Sequence, residues 1–175
     1  MVGGITAKVL QQSTLVGAAV GGIIGTIGGY QLSKMQCTYK GKEALLLKKI
    51  ESTIENQHTL TSETHQLNSK MSKLYEEIEA LKTEHSKRLE TKEVLLNEIY
   101  EKKEEVLKLQ ALNRNVKLEI SQYYEDLKTV KYSETDTENI KHSLESLMLS
   151  LQSIEKSSIY NLEQLNKFKE RIDYA

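Results

Sequence analysis

The 175-residue chain has no proline, no tryptophan, one cysteine and one phenylalanine, and none of its nine glycines lies beyond Gly41. Turns of β-sandwiches and barrels, and the phosphate-cradling loops of α/β enzymes, are built around glycine and proline. The 134 residues from Lys42 to Ala175 contain neither, so both classes are excluded and long helix remains. A lone Cys37 supplies no intramolecular disulfide and no multi-cysteine zinc site. Acids are missing from residues 1–42, which carry four lysines, whereas residues 43–175 carry 20 basic and 25 acidic side chains. With a net charge of −1 and no basic domain, nucleic acid is not an expected partner. Few bulky aromatics are available, so burial has to come from repeated Leu and Ile contacts along helices.

The N-terminal part has an uncharged run of 25 residues between Lys8 and Lys34. Residues 13–33 read as a transmembrane anchor, since the 20 residues from Ser13 to Leu32 reach about 30 Å as helix. Gly17, Gly21, Gly25 and Gly29 recur every four residues, extended by Ser13 and Ser33. That spacing puts the small residues on one helix face, where two backbones can approach closely and gain van der Waals contact in lipid. The pattern is a glycine zipper. Lys34, Lys40, Lys42, Lys48 and Lys49 follow the run and only Lys8 precedes it, which puts the C-terminal part in the cytosol or the mitochondrial matrix.

From Gln57 to Val130 a single heptad register runs unbroken. Ile78, Ile99, Val106 and Asn113 fall at a, and Leu81 and Leu109 fall at d. Ile and Val at a with Leu at d favour two parallel strands, and a seam Asn fixes register. Acids dominate g and lysines e, so Glu77 with Lys82, Glu98 with Lys103 and Asp126 with Lys131 attract across a parallel homodimer. At His85, Arg88 and Lys92 three successive seam positions are polar, a local weak spot, a hinge or a docking site. The register stops at YSETDTEN (132–139), where Thr135 and Glu138 read as a capping box. A final helix follows with a wider apolar face including Leu147, Leu151, Leu165 and Phe168; it is the candidate surface for docking a helical protein partner, or it folds back on the rod.

The expected fold is all-α: a single N-terminal transmembrane helix, a long parallel coiled coil and a shorter C-terminal amphipathic helix. Its divisions are a tail (1–12), an anchor (13–33), a basic linker (34–42), a rod (43–132), a hinge (133–138) and the last helix (139–175). No catalytic, cofactor or metal site is expected, because His58, His65, His85 and His142 have no partners at ligand spacing. The chain therefore reads as a membrane-anchored scaffold or tether, contacting lipid through the zipper and a protein through 139–175. A zipper-built pore or membrane-shaping oligomer and a structural subunit of a helical assembly are the alternatives. A glycine-rich, acid-free start flanked by lysines favours a mitochondrial membrane over a secretory one, and the scarcity of arginine, three in the chain and none before Arg88, argues against a strong cleavable presequence.

Overall fold

The computed structural model describes residues 29–81 and 88–174, which form four α-helices: α1 (Gly29–Gln36), α2 (Lys42–Leu81), α3 (Arg88–Leu127) and α4 (Glu134–Tyr174). No strand occurs among the described residues.

Contacts between the long helices fix their directions. Along α2 and α3, Lys70 meets Glu105 at 3.2 Å while Thr53 meets Tyr123 at 2.9 Å. Partner numbers fall on one helix as they rise on the other, so the two are antiparallel. Lys117 to Glu155, and Lys169 over the ring of Tyr100, show the same for α3 and α4. Gln57 with Ser150, and Glu79 with Arg171, rise together, so α2 and α4 run parallel. The result is an up-down-up three-helix bundle about 60 Å long, from 40 residues per helix at about 1.5 Å each.

The expected single rod over 43–132 is therefore corrected. Ile78, Ile99, Val106, Leu109 and Asn113 are all buried at 4% exposure or less, but what covers them is their own chain. The side chain of Leu81 lies outside the described residues. Of the 19 a and d positions between Gln57 and Val130 whose side chains are described, 17 are buried, so the heptad reading identified the seam and misassigned the partner. The physical reason is that a/d spacing states which stripe must leave water, not which helix covers it.

On α4 the row Ile140, Leu144, Leu147, Leu151, Ile154, Ser158, Asn161, Leu165, Phe168 and Ile172 is likewise buried, and the helix folds back on the other two. Each fully buried Leu or Ile contributes roughly 1.5–3 kcal/mol. The cap of α4 also differs from expectation. Ser133, not Thr135, closes the first turn: the Asp136 amide donates to Ser133 Oγ at 3.1 Å, and Ser133 Oγ donates to Asp136 Oδ2 at 2.7 Å. The break between helices accordingly lies at 128–133 rather than 133–138.

Of the zipper glycines, Gly29 is the first residue of α1, and Gly17, Gly21 and Gly25 lie outside the described residues. Among the described residues no helix is long and apolar enough to cross a membrane. Leu32, counted above with the anchor, is 2% exposed in the bundle core beside Met35 at 7%. The expected linker 34–42 begins as the end of α1 and then turns at 37–41, with Gly41 at φ 67°, a left-handed conformation that side chains disfavour.

Candidate functional site

Two features stand out as candidate functional elements: the end of the bundle where the chain enters, and a set of polar layers inside it. At the entry end the turn after α1 brings Tyr39 against the turn between α3 and α4. Its ring stacks edge-on against Tyr132, with centroids 4.9 Å apart and planes at 80°. Its hydroxyl donates to Asp136 Oδ2 at 2.6 Å and accepts from the Ser133 amide at 3.0 Å. Tyr132 in turn donates to the backbone carbonyl of Glu43 at 2.6 Å. This clasp joins segments 97 positions apart in sequence, and it ties the turn after α1 to the start of α4.

Electrostatics at the clasp follow from these bonds. The Asp136 carboxyl is held below the usual carboxylate range, first by the Tyr39 hydroxyl and then by that of Ser133. Burial pushes the Tyr132 phenol well up, assisted by the nearby Glu43 carboxylate, so it stays protonated and remains a donor. Gln36, at the end of α1, adds a further tie by donating to Glu51 Oε2 at 2.8 Å.

Inside the bundle, among the described residues, ten polar or charged side chains are buried with the apolar ones. Near the entry, Thr53 and Tyr123 share a hydrogen bond of 2.9 Å, and Thr53 also reaches Glu119 at 3.2 Å. In the middle, Gln57 Nε2 donates to Thr61 at 2.7 Å and Ser150 at 2.6 Å, while Asn113 Nδ2 donates to the Leu151 carbonyl at 3.0 Å. Their carbonyl oxygens, Gln57 Oε1 and Asn113 Oδ1, are buried with no hydrogen-bond partner in the chain. A third layer links Asn68 to Asn161 at 2.7 Å and to Ser157 at 3.3 Å. The serine row of α4 thus faces the core: Ser143, Ser150 and Ser157 are buried and Ser146 and Ser153 half-buried.

On α3, Lys102 is 7% exposed and pairs with Glu105 at 2.9 Å. Burial raises Glu105, but Lys102 and Lys70 outweigh it and hold the carboxyl below its ordinary range. A shallow groove between α2 and α3, floored by Leu67, Leu109 and Leu112, is bridged there by Lys70 and Glu105. Among the described residues no group of three or more His, Cys, Asp or Glu could hold a metal ion.

The residues expected to dock a partner lie elsewhere than a surface. Leu147, Leu151, Leu165 and Phe168 are 0–4% exposed inside the bundle, and Phe168 packs on Tyr75 with centroids 5.8 Å apart. A protein approaching 139–175 in this state meets Leu149 (58% exposed) and Ile159 (48%) instead. The clasp was missed from sequence because Tyr39, Tyr132 and Asp136 share no motif; only the aromatic character of the two turn residues hinted at it. No family model matches this chain, and no curated protein or solved structure matches it either.

Proposed function

We propose that the chain is a membrane-anchored helical scaffold. The N-terminal zipper inserts in the bilayer and pairs copies, and the three-helix bundle is a platform held at the surface. The observation that carries this reading is the continuity between the two parts. The uncharged, small-residue run leads directly into α1, whose Leu32 and Met35 sit in the bundle core and whose exit turn is locked by Tyr39. With Leu32 committed to the bundle, residues 9–31 still offer 23 uncharged residues, about 34 Å as helix.

The platform is compact: it stands about 60 Å tall, not the roughly 135 Å that an unbroken rod over 43–132 would reach. Positive charge after the anchor puts it on the cytosolic or matrix side, and a mitochondrial membrane suits the weakly hydrophobic, acid-free start. Carbonate extraction of membranes, combined with protease protection of the bundle, tests the reading. Retention in the membrane with the bundle on the side carrying Lys34 to Lys49 is the expected result. Release by carbonate would refute the anchor and leave a structural subunit of a helical assembly. Replacing Gly21 and Gly25 by leucine should abolish cross-linking of copies within the bilayer while leaving the bundle's helicity intact.

A further inference from the structure

The outward face of α3 carries an apolar row that the bundle leaves mostly exposed. Five of the eight large hydrophobic side chains exposed among the described residues belong to this one helix. Three of them, Tyr100 (52% exposed), Leu107 (54%) and Leu118 (61%), fall on a single stripe with exposed Ala111. The same stripe holds two exposed charges of opposite sign, Glu104 and Arg114. Steps of four and three residues alternate along it, the spacing that keeps a row facing one neighbour.

The order of residues on this stripe is self-complementary. Reversed about position 109, Tyr100 falls opposite Leu118, Glu104 opposite Arg114 and Leu107 opposite Ala111, and each pair then occurs twice. A large side chain faces a small one at the centre, and an acid faces a base on each side of it. That is the condition for an isologous two-fold contact, in which residue i meets j and j meets i. Parallel pairing of the same stripe would instead set Glu104 against Glu104 and Arg114 against Arg114.

We propose that the outer face of α3 docks on the same face of a second copy of this chain, antiparallel, with the two-fold axis at residue 109. The charge arrangement selects this occupant: an arbitrary partner helix has no reason to match a stripe that matches itself. Tyr100 anchors each end of the contact, and Lys169, whose Nζ lies 5.9 Å from that ring, moves aside or joins the rim.

Antiparallel docking has a geometric result that rests on the membrane-anchored reading above. The entry clasp lies at the Leu127 end of α3, 18 residues or about 27 Å from position 109. In the docked pair the two entry ends point in opposite directions, about 54 Å apart. Copies anchored in two facing membranes are then held together by their bundles, while zipper pairing joins copies within one membrane.

Charge reversal tests docking and tethering separately. The full chain is studied in detergent, with Gly21 and Gly25 replaced by leucine to remove zipper pairing, and association is followed by analytical ultracentrifugation. E104R and R114E each set like charges opposite one another, and each should weaken self-association by about tenfold or more. An equimolar mixture of the two restores opposite charges at every site and should associate as tightly as the parent. Both substitutions are at exposed positions, and unchanged circular dichroism shows that the fold is kept. Undiminished association of the single variants, a mixture no tighter than either variant alone, or a parent that stays monomeric overturns the docking. In the second arm E104R and R114E, each with its native zipper, are reconstituted in separate vesicles. Clustering only on mixing supports the tether, whereas pairing in detergent without clustering of loaded vesicles overturns the trans geometry and leaves the docking intact.

Discussion

Replacing Asn113 by leucine should make the bundle more stable, which is the opposite of what most buried substitutions do. Asn113 is 2% exposed, donates one hydrogen bond of 3.0 Å to the Leu151 carbonyl, and buries an acceptor oxygen with no partner in the chain. Losing the hydrogen bond costs about 1 kcal/mol, and removing the orphaned carbonyl returns about 1–3 kcal/mol. Buried leucine adds about 2 kcal/mol of apolar transfer, reduced by about 1 kcal/mol where the wider side chain crowds its neighbours. The Leu151 carbonyl keeps its place in the α4 ladder, so no new orphan is made. The net is about 2 kcal/mol of stabilisation, a rise of roughly 4–8 °C in melting temperature for a chain of this length. Urea unfolding of the full chain in mild detergent, followed by circular dichroism, reads this as a higher midpoint at unchanged slope. A midpoint lowered by N113L would refute the reasoning, because it would mean that the carbonyl oxygen is satisfied in solution.

Three further substitutions test other parts of the architecture. Leu151→Ala should cost about 2–5 kcal/mol, since Leu151 is fully buried; a cost below about 0.5 kcal/mol would mean that α4 is not part of the core. Gly41→Ala places a side chain at φ 67° and should cost about 1 kcal/mol in the same unfolding assay, with a neutral effect refuting the left-handed turn. Tyr39→Phe removes the stronger of the two donors that depress Asp136. A carboxyl depressed in the folded state stabilises the fold above its unfolded value near pH 4 and loses that contribution as pH falls through the lower folded value. Stability of the Tyr39→Phe variant should therefore fall less steeply below about pH 4 than that of the parent, and identical acid profiles would refute the clasp.

Much of this fold was legible in the sequence, and the failures have one cause. The absence of proline and glycine after Gly41 correctly announced long helices, and all but one of the register positions described between Gln57 and Leu127 are buried, Lys92 being the exception. What it could not name was the helix on the far side of the seam. Ile99 leaves water equally well against a second chain or against α2, and no glycine or proline marks the passage from Leu81 to Arg88. One signal was present. The seam turns polar at His85, Arg88 and Lys92, close to where α2 ends at Leu81 and α3 begins at Arg88, and an interruption of the apolar stripe is what a passage between two helices allows. The wide face of α4 had the same explanation: a helix in a three-helix bundle touches two neighbours and needs a broader stripe than one in a two-stranded seam. The polar layers were half visible, since Asn113 was recognised as a seam residue, but Thr53, Asn68 and Tyr123 become partners only once the helices are folded together.

An odd number of long helices has a mechanical consequence. The chain enters beside Tyr39 and α4 ends at Tyr174, at opposite ends of the bundle. A load applied between these points runs along the helix axes, drawing α2 and α4 past each other lengthwise. Every layer, from Thr53 to Arg171, then carries strain at once, in contrast to a two-helix hairpin, whose neighbouring ends are peeled apart one turn at a time. Rupture is governed by the height of the unfolding barrier rather than by equilibrium stability. Here the Gln57–Ser150 and Asn68–Asn161 hydrogen bonds cross between α2 and α4 and would have to break together.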